Sequence, residues 1–293
     1  MPAAALDSSA LDPPPPEDPE GFAALLAQVE RDHGFRVRSY KERCLRRRVG
    51  VRMRATGTHR FADYAARLTA DPREYERLVD ALTINVTKLF RNWEAWEALD
   101  ARVLPALVAR GGPVRAWSAG CATGEEAYSL AALLHARASG APANLRLDVL
   151  GTDVDAGSLA AAAAGVFGEA AFADTPPALR ARYFGEAVAT AGLGIAPGTG
   201  PGARAAAELR AMVRFAAHDL LRAPPPEGPW DLIACRNVVI YFDRDSQEAL
   251  FERFHAALAP GGVLFLGRVE TLLGRLRTLF TPVDARQRLF RRA

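Results

Sequence analysis

Apolar side chains recur at helical spacing through the first third of the chain. Phe22, Leu25, Leu26 and Val29 form one stripe, and Tyr40, Cys44, Leu45, Val49 and Met53 a second. Phe61, Tyr64, Ala65 and Leu68 form a third, and Tyr75, Leu78, Val79 and Leu82 a fourth. Gly34, Gly57 and Asp71-Pro72 separate them. The pattern predicts an all-helical domain over about 20–99. Residues 1–19 ahead of it are expected to be a disordered leader, because the run Pro13 to Pro16 joins neither a helix nor a sheet interior.

From about residue 113 the pattern changes. Short apolar runs at 114–119, 145–152, 213–217, 232–235 and 263–267 read as strands. Helical stretches at 123–138, 158–165 and 247–258 lie between them. Such alternation predicts a doubly wound α/β sheet with helices on both faces, spanning about 100–293. Residues 185–207, rich in Gly, Ala and Pro, interrupt it and are expected to form a small inserted β-hairpin or β-subdomain.

Composition narrows the classes. Apolar residues make up 49% of 293 residues, enough for a sizeable core. No apolar run approaches the roughly 18 residues a membrane span needs, and the N-terminus lacks a charged and then apolar signal sequence. Three scattered cysteines form neither a disulfide framework nor a zinc site and suit a reduced, cytoplasmic setting. Charge is uneven: residues 31–60 hold eleven Lys/Arg against Asp32 and Glu42, a net +9, while the whole chain is +3 and its remainder therefore acidic. A basic helix over about 39–55 is expected to be a binding face. Nucleic acid is the lesser reading, since no reader motif accompanies the arginines.

Four segments carry candidate chemistry. In Trp117-Ser118-Ala119-Gly120-Cys121-Ala122-Thr123-Gly124-Glu125-Glu126 a strand enters a glycine turn that opens a helix. Ligands of open α/β sheets sit at such strand ends, where glycine permits close approach. Two acids at the helix start oppose a diphosphate and suit a ligand with a positive group, although they also serve as ordinary capping acids. In Gly151-Thr152-Asp153-Val154-Asp155 one acid suits ribose hydroxyls and the other an N-cap. Asp231 to Asp243 ends a strand in Arg236-Asn237 and continues into an aromatic pair. Asn85-Val86-Thr87-Lys88-Leu89-Phe90-Arg91-Asn92 lies before the sheet domain, where Asn85 and Thr87 would equally serve as caps and Arg91 as a linker residue.

Together these segments resemble the chemotaxis receptor glutamate methyltransferases, the CheR family. The arginine-rich helix is Tyr40-Lys41-Glu42-Arg43-Cys44-Leu45-Arg46-Arg47-Arg48. Thr83, Asn85, Thr87 and Arg91 meet a T-x-N-x-T-x-F-F-R motif, with Leu89 in place of the first Phe. Residues 117–131 meet the glycine-loop motif except for Ala127 in place of Pro, 152–155 the acid motif, and 235–242 the C-R-N-V-x-I-Y-F motif. The family's later His-Ser-Glu is here Arg268-Val269-Glu270.

The resemblance implies a Rossmann-like class I methyltransferase sheet preceded by an all-helical domain. It implies methyl transfer from S-adenosylmethionine to glutamate carboxylates of chemoreceptor cytoplasmic helices, with S-adenosylhomocysteine as product, by a cytoplasmic monomer. Carried over by position, Asn85, Thr87, Arg91, Gly120, Glu126, Asp153, Asp219, Leu220, Asn237 and Val238 are the expected cofactor contacts. Arg91 and Tyr241 are the expected catalytic residues. Lys41, Arg43, Arg46, Arg47, Arg48 and Arg52 are the expected substrate-recognition residues. No metal and no membrane insertion are expected. The competing expectation is a catalytically weak S-adenosylmethionine-binding regulator of the same fold, kept open by the Arg268-Val269 departure.

Overall fold

The four N-terminal stripes become α1 (Pro19–His33), α2 (Glu42–Ala55), α3 (Phe61–Ala70) and α4 (Pro72–Leu82). Their apolar faces share one core in which Phe22, Leu25, Val29, Leu45, Val49, Met53, Phe61, Tyr64, Leu68, Leu78 and Leu82 are buried. These helices belong to the first of two units, Met1–Ile84 and Asn85–Ala293. The computed structural model describes residues 18–33, 37–82, 87–189, 201–272 and 274–293; the leader as far as residue 17, Asn85 and the middle of the insert, 190–200, lie outside the described residues.

Within the first unit a buried acid organises the basic helix. Glu74 of α4 is 1% exposed. It accepts two hydrogen bonds from Arg52, at 3.1 and 2.6 Å, and one from the Tyr64 hydroxyl at 2.8 Å. Arg48 donates to the Ala81 carbonyl at 2.5 Å, and Arg46 lies over the Phe22 ring, 4.3 Å from its centroid, while pairing with Glu42. Arg48 and Arg52, expected to recognise substrate, are half-buried and bound into the framework, where a guanidinium beside a buried carboxylate or carbonyl is held more strongly than in water. Lys41, Arg43 and Arg47 are exposed. Cys44, expected in the core stripe, is only half-buried.

The second unit opens with α5 (Trp93–Arg102) and α6 (Leu104–Ala109), which pack into the sheet core through Trp96, Leu99 and Leu104 and so belong with the sheet, not with the N-terminal helices. The chain then runs β1 (Pro113–Ala119), α7 (Glu125–Arg137), β2 (Arg146–Asp153), α8 (Ala156–Ala164) and β3 (Val166–Phe167). It continues through α9 (Pro177–Tyr183), β4 (Glu186–Val188), β5 (Gly202–Arg204), α10 (Ala207–Met212), β6 (Val213–Ala217) and β7 (Trp230–Cys235). It ends with α11 (Arg244–Ala257), β8 (Leu258–Leu266), α12 (Leu276–Leu279), β9 (Phe280–Asp284) and β10 (Leu289–Arg292).

Seven strands lie in the order β6-β2-β1-β7-β8-β10-β9. The first five run parallel, β10 runs against β8, and β9 pairs antiparallel with β10 at the edge. β7 is buried throughout and the later parts of β1, β2 and β8 are buried too, so these read as apolar runs, while the edge strand β6 is half or fully exposed. The terminal hairpin β9–β10 is an edge, half polar and short, which left no periodicity to read. The insert is a three-stranded antiparallel sheet, β3-β5-β4, its third strand supplied by two residues upstream of the expected segment. No helix among the described residues is long and apolar enough to cross a membrane.

Burial pushes the Glu74 carboxyl up, but the hydrogen bonds from Arg52 and Tyr64 outweigh it and hold the group below its ordinary range. A depressed acid contributes stability above its unfolded value that is lost as pH falls through the folded one. Glu74→Ala is therefore expected to cost about 3 kcal/mol at pH 7, the low end for a broken buried pair because Arg52 keeps some solvent contact. In urea titrations followed by circular dichroism, the difference from wild type should narrow below about pH 4; a pH-independent difference would show that lost packing, not charge, is responsible.

Candidate active site

The sheet order sets four strand ends side by side, and their loops are tied together by main-chain bonds. Gly120 and Cys121 donate to the Thr152 carbonyl at 2.8 and 2.9 Å, joining the β1 loop to the end of β2. His218 donates to the Asp153 carbonyl at 2.8 Å, joining the β6 loop to the same end. Gly120 has φ +79°, and a Cβ there would lie 2.7 Å from the Val238 side chain, so only glycine lets the β1 and β7 loops meet. Asp153 accepts from Ala122 N at 2.8 Å and Asp155 N at 3.1 Å. Asp155 caps α8, accepting from Gly157 and Ser158, which separates the roles of the two acids.

The two acids opening α7 also part company. Glu125 accepts from the Thr123 hydroxyl within its own turn, at 2.7 Å. Glu126 instead turns under β1 and accepts from the Ser118 hydroxyl at 2.8 Å. Burial pushes Glu126 up to about 7, against the pull of the Arg236 and Arg91 charges and the Ser118 hydrogen bond. Arg236 is buried, stacked over Phe265 and Trp96 at 4.5 and 5.1 Å, and donates to the Arg91 carbonyl at 2.8 Å. Burial pulls Arg236 down to about 10, so it remains a cation at neutral pH, and Glu126 and Glu270 favour that charge. The thiols of Cys121 and Cys235 are buried and pushed well up, first by desolvation and then by nearby carboxylates, so neither is a ready nucleophile.

The structure places Asp153 at the end of β2, and Gly120, Asp219, Leu220, Asn237 and Val238 on the loops following β1, β6 and β7. Asp219 closes its own turn by accepting from Leu221 N at 2.8 Å, and Leu220 is buried. Arg91 is half-buried, its carbonyl held by Arg236 and by the Trp96 indole, and its charge is felt by Glu126. Thr87 is half-buried four residues earlier. Tyr241 lies in the single 3-10 turn Val239–Tyr241 directly after Val238. Asn85 is outside the described residues. Sequence reasoning noticed Arg236 at the strand end but assigned no site role to it, to Ser118 or to Glu270. All three stand inside the quoted motifs, yet their value comes from partners far along the chain.

The residues fit S-adenosylmethionine, the cofactor implied by the resemblance. Asn237 has φ +63°, and its side-chain oxygen is buried with no hydrogen-bond partner among the described residues. An unpaired buried acceptor is costly and suits a donor such as an ammonium or hydroxyl. Glu126 supplies a negative group for the same kind of ligand, and Asp153 an acceptor at the end of β2. The set carries no cluster of cations that would select a diphosphate.

The raised Glu126 value means that the folded state holds the proton. Its linked stability is full below the ordinary value of 4.5 and is lost as pH rises through about 7. Glu126→Gln, which stays neutral, is therefore expected to stabilise the cofactor-free protein at pH 8 by roughly 3 kcal/mol and to leave it unchanged at pH 4. The same variant should bind S-adenosylmethionine more weakly at pH 8, and wild-type affinity should climb with pH through about 7. Thermal melts and calorimetric titrations across this range check both; unaltered affinity in the variant removes Glu126 from the site.

Comparison with known proteins identifies the domain that carries these loops. Residues 85–289 match the family described as CheR methyltransferase, SAM binding domain, and residues 20–83 match CheR methyltransferase, all-alpha domain. A chemotaxis protein methyltransferase of Listeria monocytogenes is 32% identical over 259 residues, covering 88% of this chain and 92% of the relative. Chemotaxis protein methyltransferase 2 of Pseudomonas aeruginosa is 34% identical over 259 residues, 87% of each chain. An uncharacterized 104.1 kDa protein of Rhodobacter capsulatus is 36% identical over 256 residues; these cover 86% of this chain and 25% of that relative, so the present chain spans only about a quarter of the longer protein. The loops that converge at the ends of β6, β2, β1 and β7 thus lie in an S-adenosylmethionine-binding domain, and the chain belongs to the CheR methyltransferase family.

Proposed function

We propose that the chain transfers a methyl group from S-adenosylmethionine to glutamate side chains of chemoreceptor cytoplasmic helices, forming glutamate methyl esters. The observation that carries this reading is the row of loops at the sheet edge, with a buried acid, an unpaired buried Asn237 oxygen and Arg91 beside them. Relatives named as chemotaxis protein methyltransferases support the substrate class.

The cofactor supplies an already activated methyl group. A glutamate with a pKa near about 4.3 is ionised at neutral pH, so no general base is needed. Glu126, Asp153 and Asn237 hold the cofactor, and Gly120 leaves its approach open. What remains is alignment, which supplies roughly 7–11 kcal/mol when the reacting atoms are well placed, and removal of water from the carboxylate. Arg91 orients the incoming carboxylate oxygen; because a cation also lowers that oxygen's nucleophilicity, its part is orientation and not bond-making. Arg236 fixes the main chain of Arg91 through its carbonyl. Tyr241 donates a hydrogen bond from its hydroxyl. Lys41, Arg43 and Arg47, the exposed members of the basic helix, meet the acidic receptor helix.

Incubation with methyl-labelled S-adenosylmethionine and receptor cytoplasmic fragments is expected to leave base-labile label, released as methanol; base-stable label would exclude carboxyl esters. The double variant Arg43→Glu/Arg47→Glu should slow this labelling at least tenfold at low salt, where screening is weakest, and leave cofactor affinity unchanged. Tyr241→Phe keeps the ring and removes the hydroxyl. Turnover should fall roughly tenfold with near-normal cofactor affinity, one neutral hydrogen bond being worth about 1 kcal/mol or slightly more. Wild-type turnover would leave Tyr241 a packing residue.

A further inference from the structure

A second buried carboxylate lies beneath the Asn237 loop, and methyl transfer as described makes no direct use of it. Glu270 is 4% exposed. Its Oε2 accepts from Gly267 N at 2.6 Å and Asn237 N at 3.0 Å; its Oε1 accepts from Val238 N and Val239 N, both at 2.9 Å. Four main-chain donors thus converge on one side chain, joining the loop after β7 to the end of β8. Gly267 makes room for this, because a Cβ there would stand 2.7 Å from Asn237 N and 2.8 Å from Glu270 Oε2. Asn237 itself is held at φ +63°, a conformation that residues other than glycine adopt rarely and keep only when their surroundings impose it. The same loop leaves the Asn237 side-chain oxygen buried and unbonded among the described residues. The two residues before Glu270 point away: Arg268 is exposed, and Val269 is 68% exposed.

We propose that Glu270 is the positioning residue of the cofactor site, its carboxylate fixing the Asn237–Val238 main chain so that the Asn237 side chain is set for the cofactor before binding. Arg268 and Val269 take no part in that clamp, so their departure from His-Ser leaves the site's machinery intact. The inference rests on the reading of Asn237 as a cofactor contact. A carboxylate suits the task because it accepts on both oxygens, and charge-assisted bonds to main-chain N–H groups are about twice as strong as neutral ones. A glutamine in its place turns an N–H donor toward one pair of these N–H groups.

The test compares S-adenosylmethionine affinity in wild type, Asn237→Ala, Glu270→Gln and the double variant. Each single variant is expected to weaken binding roughly tenfold or more, and the double variant no further than the worse single one, because Glu270 acts through Asn237. In turnover, Glu270→Gln should raise KM for the cofactor and leave kcat at saturation nearly unchanged. The variant Arg268→Ser/Val269→Ser should stay within threefold of wild-type affinity. Glu270→Gln that melts earlier yet binds the cofactor as wild type does, or losses that multiply in the double variant, would overturn the inference alone. Wild-type affinity in Asn237→Ala would overturn the reading beneath it as well. Should Glu270→Gln fail to fold, amide exchange in cofactor-free wild type decides: the amides of Gly267, Asn237, Val238 and Val239 are expected to be protected, and exchange at the rate of an unstructured peptide would overturn the proposal.

Discussion

Charge buried at the carboxyl edge of the parallel sheet is the constraint on which the site depends. Glu126, Arg236 and Glu270 are each less than a tenth exposed. Removing such groups from water is costly unless partners replace the lost solvation. Each group here meets that demand differently. Glu270 is satisfied almost entirely by main-chain N–H groups. Arg236 is accommodated by two aromatic faces and one carbonyl, with no hydrogen-bond partner for its Nε among the described residues. Glu126 has a single serine hydroxyl as its hydrogen-bond partner among the described residues, and burial pushes it up to about 7. The incompletely satisfied members, Glu126 and the Asn237 oxygen, are where a cationic or hydroxyl-bearing ligand has most to offer. Incomplete satisfaction at a few atoms inside a well-bonded frame is how a folded chain keeps binding energy in reserve.

The N-terminal unit uses charge in another way. Glu74 is as deeply buried as Glu270, yet two strong partners hold it ionised. Arg52 and Arg48 face inward to acceptors, so a helix dense with arginine can pack on one side and still present Arg43 and Arg47 on the other, with Lys41 exposed just ahead of it. Arg46 contributes to packing through the Phe22 ring, an ordinary use of a long cationic side chain. Net charge along a segment therefore overstates what is offered to a partner.

The reaction asks for little chemistry from the protein, and the site reflects that. In the proposed reaction its acids would face the cofactor and Arg91 would orient the carboxylate. The thiols stay protonated, and the groups that sequence reasoning overlooked hold other residues in place. A framework of this kind suits a transfer in which the nucleophile is already ionised and the leaving group already activated.

Much of this was legible in the chain itself. Stripes at 3–4 spacing marked the four N-terminal helices, and uninterrupted apolar runs marked the parallel strands, because both elements bury faces whose period is local. The glycine loop, Asp153 and Asn237 stood out because chemistry at a strand end needs particular residue types in a short space. Family resemblance extended this to Arg91, Asp219 and Tyr241. Other features had no local signature. The two-residue β3 and the β9–β10 hairpin are too short or too polar for a period to show, and only pairing across the chain makes them strands. Glu125 and Glu126 are adjacent and chemically alike, and they separate only because one side chain faces its own turn and the other the underside of β1. Arg52 and Arg47 both read as surface arginines until α4 places Glu74 beside one of them. Glu270 lies thirty-three residues from Asn237, and no spacing rule links them. The sequence by itself determined which segments fold and which loops are candidates for the site. Tertiary structure alone decided which charges are buried and what they hold, because solvation is lost or replaced only where distant parts of the chain meet.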